Sequence, residues 1–313
     1  MTRIGLISNP HSQRNRRDMA DLRAAARRHR DLLHLELASI DGMAEALREF
    51  ARREVGLVAV AGGDGTVQKA ITELLNAGAA AVPHVAVLPA GMTNLIAADV
   101  GMRGRPAQAL DRLCANEPIL AGETLARPVI SLRRVPGEPP IHGMFLGAAA
   151  FYQGIMLARE KVHPLGAERH VATAMGLGLS LLRLLTCRDA AHSERLSLGL
   201  DGAPPQEGDY LLLMATTLRR LVFDLKPFWG EGEGALRLTT ITHPPRRLGR
   251  ALLPILRGRP RPWMTANGYR SGRVRECRLA LDGPLVFDGE VIRPNPAVPV
   301  VLSSDRQIAF WRC

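Results

Sequence analysis

An α/β chain is expected here, with an N-terminal parallel sheet wrapped by helices followed by a C-terminal β-rich sandwich domain, and three observations carry that expectation. The first third alternates strand signals with helix signals. After about residue 124 the texture changes to short β-prone pieces punctuated by Gly and Pro. The chain has 313 residues, 46% of them hydrophobic, which suffices for two cores of ordinary domain size. The expected division is 1–124 for the α/β domain and 125–313 for the β-rich one.

In chain order, "RIGLIS" (3–8) is a strand and "RDMADLRAAARRHR" (17–30) a helix, and "LLHLELA" (32–38) returns to a strand. "GMAEALREFARRE" (42–54) is a second helix, with Ala46, Leu47, Phe50 and Ala51 on one stripe and arginines opposite. "VGLVAVA" (55–61) is apolar throughout, as a strand covered on both faces must be. "TVQKAITELLNAG" (66–78) is the third helix and "HVAVLPAG" (84–91) a strand running into a turn. Parallel sheets of this kind bind ligands beyond the carboxyl ends of their strands, where both glycine turns fall. In the second part, "PVISLRRV", "ERLSLGL", "YLLLMATT", "ALRLTTIT", "CRLALDG", "LVFDGEVI", "PVVLSS" and "QIAFWR" read as strands, with helical or irregular interruptions at 155–187 and 244–263.

The charge balance narrows the partners. There are 41 Lys+Arg against 30 Asp+Glu, a net +11, and only Lys69, Lys161 and Lys226 are lysines. Such a surplus suits anionic membrane, phosphorylated ligands or nucleic acid, and is equally a compositional habit. Aromatic residues at 4%, with no basic stripe carrying stacking side chains, argue against nucleic acid. Cys114, Cys187, Cys277 and Cys313 are widely spaced, and "MTRIGLISNP" reads as a strand, so a cytoplasmic location is expected. The longest apolar stretch, 172–187, carries Arg183 and falls short of the ~20 residues of a membrane span. The nine histidines show no HExxH spacing, His163 and His170 read as surface residues, and no zinc is expected.

The stretch "VAVAGGDGTVQKAI" (58–71) carries the chemistry. A strand entering Gly62, Gly63 and Gly65 and passing directly into a helix offers backbone N–H groups at the positive helix end, which suits phosphate. Asp64 at that tip would repel phosphate unless a divalent cation lies between them or a hydroxyl must be positioned, so it points to magnesium-nucleotide chemistry. No GxxxxGK[ST] occurs, and Gln68 stands where a GxGxxG would close.

"GGDGT" (62–66) resembles the signature of the diacylglycerol kinase catalytic domain family, which includes bacterial lipid kinases and sphingosine kinases and is related more distantly to NAD kinases and phosphofructokinases. "SNPHS" (8–12) is similar to the family's NPxSG element at Asn9, Pro10 and Ser12, with Gln13 in place of glycine. "LPAGMTNLIAADVG" (88–101) resembles its PxGTxNxxAxxLG segment at Pro89, Gly91, Asn94, Ala97 and Gly101. Met92 there replaces threonine, with Thr93 beside it, and Leu95 stands where many members have aspartate. "VFDGE" (286–290) resembles the late DGE triplet, although Asp-Gly between β-prone segments is by itself a hairpin signal.

This resemblance implies a phosphofructokinase- and NAD kinase-like first domain that binds nucleotide, and a second that binds lipid or another acceptor. ATP and Mg2+ are the implied cofactors. Gly62, Gly63, Gly65 and Thr66 are expected at the nucleotide phosphates, Asn9, Ser12, Gly91, Thr93 and Asn94 around the rest of the nucleotide, and Asp64 at magnesium and phosphate. Asp288 is the candidate base or hydroxyl-orienting group, with Glu290 assisting it or the metal. The implied reaction is transfer of the γ-phosphoryl group of MgATP to a lipid hydroxyl such as that of diacylglycerol or a sphingoid-type alcohol.

Two stretches bear on the acceptor. "RRLGRALLPILRGRPRPW" (246–263) has six arginines and no acid among its leucines, which suits a peripheral membrane contact or else a helix packed on its own domain, kinked at Pro254. "AMGLGLSLLRLL" (174–185) reads as a buried helix or the lining of an acyl pocket. The implied partners are a lipid substrate and a membrane surface, with nucleic acid not among them and homodimerisation left open. The alternatives are an NAD kinase-like enzyme with a soluble acceptor and a non-catalytic Arg-rich relative that binds membrane or nucleic acid.

Overall fold

The structure is a computed structural model that describes residues 3–12, 14–78, 82–115, 124–154, 193–221 and 224–312. Gln13, His163, His170, Cys187, Cys313 and the apolar stretch 174–185 lie outside the described residues. The chain forms two compact units, Met1–Pro128 with Gln307–Cys313, and Val129–Arg306.

In the first unit, β1 (Arg3–Ser8), β2 (Leu33–Glu36), β3 (Val55–Gly62) and β4 (His84–Pro89) run parallel in the order β2-β1-β3-β4, and Phe310 near the end of β15 (Val300–Trp311) pairs with Val85 of β4. The helices α1 (Asn15–Arg28), α2 (Met43–Arg52), α3 (Asp64–Asn76), α4 (Leu95–Asp99) and α5 (Pro106–Ala115) connect or follow these strands. Leu57, Ala59, Val60 and Ala61 of β3 are completely buried, because a central strand with both faces covered has no side left for polar residues. On α2 the inward stripe is Met43, Ala46, Leu47 and Phe50, while Ala51 turns outward. Gly5 is where Phe50 lies against β1: a Cβ there would come within 2.5 Å of the ring.

The second unit is antiparallel. It contains β6 (Ile141–Gly143), β7 (Phe145–Ala149), β8 (Glu194–Leu200), β9 (Gln206–Thr216), β10 (Leu236–Thr242), β11 (Tyr269–Val274), β12 (Glu276–Leu281), β13 (Leu285–Phe287) and β14 (Glu290–Ile292), and β5 (Thr124–Arg133) leads into it. The first half of β9 pairs with β8 and its second half with β7 and β10, so one strand joins two sets of pairings. The core draws on both: Leu196, Leu198, Leu279 and Leu302 from one set, and Leu146, Leu213, Leu238 and Phe287 from the other. "PVVLSS" and "QIAFWR", expected as separate strands, are continuous in β15, since no Gly or Pro interrupts Ser303–Arg306. Between β10 and β11 stand α6 (Leu248–Leu256), which runs through Pro254, and the single turn α7 (Trp263–Ala266). Among the described residues no helix is long and apolar enough to cross a membrane.

Candidate active site

Three loops beyond the carboxyl ends of β1, β3 and β4 build the candidate nucleotide site. After β1 the chain turns at Asn9, whose amide donates to the Ala61 carbonyl (3.0 Å) and whose Nδ2 donates to Thr66 Oγ1 (3.0 Å). The Asn9 Oδ1 accepts the His11 amide at 3.0 Å, and the Ser12 amide returns to the Asn9 carbonyl at 3.1 Å. Asn9 therefore ties the first loop to the second, and Ser12 sits half-buried where that loop opens.

The second loop is the glycine turn. Gly62 closes β3, Gly63 caps α3 in an extended conformation, and Asp64, Gly65 and Thr66 form the first helical turn. A Cβ on Gly62 would come within 2.5 Å of Thr66 Cβ, so this position has no room for a side chain. The amides of Thr66 and Val67 already bond the Gly63 carbonyl, leaving the groups at the very start of α3 as the donors of a positive helix end.

The third loop crosses the second backbone to backbone. A Cβ on Gly91 would lie 2.4 Å from the Gly63 Cα, which explains glycine in both loops. Asn94 holds the third loop closed: its Oδ1 accepts the Gly91 amide at 2.7 Å and its Nδ2 donates to the Gly91 carbonyl at 2.9 Å, with its own backbone left-handed at φ 49°. Asparagine is among the few non-glycine residues that adopt this conformation readily.

Asp64, expected at magnesium, turns its carboxylate onto this third loop instead. It accepts Thr93 Oγ1 at 2.7 Å and the amides of Leu95 and Ile96 at 3.1 Å each, with the Asn94 backbone also contributing. The carboxylate thereby caps the start of α4. Burial pushes the Asp64 pKa up, and the four hydrogen bonds oppose that shift. Both carboxylate oxygens are thus engaged by the third loop, Oδ2 by Thr93 and Leu95 and Oδ1 by Ile96. Thr93 is joined to Asp64, and Leu95 takes part through its backbone, so the missing acid at 95 leaves the lock intact. Among the described residues no three His, Cys, Asp or Glu side chains gather into a metal-binding group.

Three residues outside the sequence expectations support these loops. Asn15, completely buried, donates from Nδ2 to the carbonyls of Asn9 (2.9 Å) and Ala61 (2.8 Å). Arg14 donates from its amide to Ala90 O (3.0 Å) and from Nη1 to the carbonyls of Pro89 (3.3 Å) and Gly104 (3.1 Å). Arg127 reaches Asp99 of α4 at 2.9 Å, an ion pair with both side chains buried. The one signal available in the sequence was the position of Arg14 and Asn15 directly after the first loop.

In the second unit, Asp288 and Gly289 form the two-residue turn between β13 and β14, with φ 45° and 90°, and Phe287 pairs with Glu290 across it. The hairpin signal and the site expectation thus fall on one residue. Asp288 is only 2% exposed, and its carboxylate accepts the amides of Met144 (2.7 Å) and Phe145 (2.9 Å) while its own amide donates to the Phe145 carbonyl (2.9 Å). Glu290 is exposed. Within the same unit, Leu198, Leu200, Tyr210, Leu238 and Val274 line a hollow of about 280 Å³, beside Arg270.

Residues 3–121 match the family model of the diacylglycerol kinase catalytic domain. Among solved structures, the chain is similar to a protein of Bacillus anthracis str. Sterne provisionally assigned as a diacylglycerol kinase, at 16% identity over 99% of this chain and 97% of that one, with a TM-score of 0.68. A diacylglycerol kinase from the same organism aligns at 15% identity over 99% and 97%, with a TM-score of 0.62. Yeast NADH kinase complexed with NADH aligns at 10% identity over 100% and 84%, with a TM-score of 0.50. At these identities the likeness bears on the fold, a mixed α/β unit followed by an antiparallel β-rich one. No curated protein matches the chain by sequence. The resemblance carried by Asn9, by Gly62–Thr66 and by the segment from Pro89 to Gly101 is therefore matched by the diacylglycerol kinase catalytic domain family over residues 3–121, and what that match supports is a kinase.

Proposed function

We propose that the chain is a lipid kinase that transfers the γ-phosphoryl group of MgATP to a lipid hydroxyl, with diacylglycerol or a sphingoid-type alcohol as the acceptor class. The observation that carries this reading is the crossing of Gly63 and Gly91, where two loops meet backbone to backbone at the positive end of α3. Gly62, Gly63, Gly65 and Thr66 hold the phosphates, and Asn9, Ser12, Gly91, Thr93 and Asn94 shape the surrounding loops. Asp64 is a positioning residue, because its carboxylate is spent on the start of α4. Magnesium bound with the nucleotide would supply charge neutralisation for the transfer, and none of the described side chains is assigned to it.

Asp288 is the carboxylate assigned to the acceptor hydroxyl, its plane set by two backbone amides. The acceptor oxygen forms a bond to the γ-phosphorus as the bond to the bridging oxygen breaks, ADP leaves with that electron pair, and the hydroxyl proton passes to the carboxylate. Glu290, exposed beside the turn, assists. The hollow in the second unit, lined by leucines together with Gln206, Thr240, Arg270 and Ser271, has room for an acceptor that joins a hydrocarbon part to polar groups. An enzyme acting on such acceptors works peripherally at a membrane, and the sparse, widely spaced cysteines favour the cytoplasmic side.

The test is to incubate the full chain with labelled ATP, magnesium and a panel of diacylglycerol, sphingosine and monoacylglycerol in mixed micelles, beside NAD in buffer. Label in one lipid is the expected result. Label in NAD alone, or in nothing, would overturn the lipid reading.

A further inference from the structure

We propose that α6 and its flanks, residues 246–263, are a preformed dock for an anionic lipid bilayer, with Leu253 as the residue that enters the acyl boundary. Ala251 and Ile255 face the second unit and are buried, which leaves the opposite side of the helix to solvent. Leu253 on that side is 53% exposed, whereas most large apolar side chains of the chain are covered. At helical spacing, Arg250 lies one turn before it and Arg257 one turn after, both exposed, so the outward stripe reads Arg, Leu, Arg. Arg246, Arg247, Arg259 and Arg261 add exposed guanidinium groups at the two ends.

Charge decides the occupant. None of these six arginines lies within ion-pair distance of a carboxylate among the described residues, although many arginines elsewhere do. No Asp or Glu occurs from His243 to Arg275. The segment is also anchored: Tyr269 donates to the Arg246 carbonyl at 2.7 Å, the Lys226 amide donates to the Leu256 carbonyl at 3.2 Å, Met264 is buried, and Trp263 packs edge-on to Tyr269 at 6.1 Å. A fixed platform of cations around one protruding leucine complements headgroup phosphates above and hydrocarbon below. Nucleic acid would use the arginines but leave Leu253 without a role, and Trp263 is taken up by Tyr269 and by the Arg247 guanidinium 6.0 Å from its ring.

Although it accords with the lipid-kinase reading, this dock can be tested without nucleotide or acceptor. The full chain is sedimented with vesicles of phosphatidylcholine alone or with added phosphatidylglycerol. Binding should depend on phosphatidylglycerol and fall with salt. The double variant Arg250→Glu/Arg257→Glu should weaken it at least about tenfold, and Leu253→Ser about fivefold at equal charge. Melting temperatures near that of the parent chain would show the variants folded, and activity on an acceptor dispersed in detergent should be unchanged. Equal binding to both vesicle types, unaltered binding by both variants, or retention on DNA without retention on vesicles would overturn the proposal. Vesicle binding without kinase activity would leave the dock standing and count against the lipid-kinase reading alone.

Discussion

Asp64–Gly65 in the first unit and Asp288–Gly289 in the second are the same residue pair put to opposite backbone use. Asp64 opens a helix, so Gly65 follows in a conformation any residue can take. Asp288 turns a hairpin, so both residues carry positive φ, and Asp288 is one of the few side-chain-bearing residues in the left-handed region. Each carboxylate nevertheless bonds the amides of another loop: Asp64 those of Leu95 and Ile96, Asp288 those of Met144 and Phe145. The element that supplies the amides separates the two. Asp64 closes a third donor, Thr93, into the lock and stabilises a loop, whereas Asp288 is held by the start of β7 and is the group assigned to chemistry.

The largest effect expected from breaking this comparison is on turnover. Asn tolerates a left-handed backbone, so Asp288→Asn should keep the turn while removing the proton acceptor, and its NH2 group, set against the Met144 or Phe145 amide, should also cost about 1–3 kcal/mol of stability. Its kcat in the micelle assay should drop by roughly 10²- to 10⁴-fold, with ATP affinity by calorimetry changed less than about twofold. Near-normal kcat would remove Asp288 from the mechanism. Asp64→Asn should do the reverse. It directs an NH2 group at donors, which costs about 1–3 kcal/mol of stability by urea denaturation and weakens ATP binding more than it slows saturated turnover. A pure kcat effect there would return Asp64 to the chemistry.

A second contrast lies inside the first unit. Gly91→Ala drives a methyl into the Gly63 backbone at 2.4 Å, while the Cβ of Gly63→Ala meets Gly91 Cα at 3.3 Å, a distance a slight shift relieves. Gly91→Ala should cost about 2–3 kcal/mol and Gly63→Ala under about 1 kcal/mol, both read by urea denaturation. Equal costs would mean the loops do not cross as described.

These features differed in how far the sequence disclosed them, for physical reasons. Central parallel strands announce themselves, since Leu57 to Ala61 must be apolar on both faces, and the glycine loops do so because a backbone crossing admits no side chain. The edge strand β11, "YRSGRV", is polar and half-solvated and so resembles a loop. Residues 307–312 give no sign that they rejoin the first unit, because pairing of Phe310 with Val85 depends on contacts more than two hundred positions away. The Leu95 and Ile96 amides that bond Asp64, and the Met144 and Phe145 amides that bond Asp288, are main-chain groups, which every sequence contains and none reveals. Asp99 and Arg127 are likewise ordinary residues in the sequence and become a buried ion pair only once α4 and β5 are placed.

The smallest expected effect concerns pH and touches the second turn alone. His142 lies two residues before the Met144 amide that holds Asp288, is buried in β6, and shares a 3.1 Å hydrogen bond with Ser131 Oγ. Burial first, and then the positive charge of Arg306, lowers its pKa from 6.5 to about 4, against a smaller opposing pull from Asp305. A histidine whose folded pKa is lowered binds protons more readily when unfolded. Its contribution to stability is therefore complete above about pH 6.5, is lost as pH falls towards 4, and does not change further below that. Other acids titrate there too, so the measurement is a difference: urea denaturation of the parent chain and of His142→Gln at about pH 7 and about pH 5. The parent should lose more stability than the variant between the two conditions, and turnover should fall with it if the β6–β7 segment sets the plane of the Asp288 carboxylate. Equal losses in both proteins would detach His142 from the acid sensitivity of this unit.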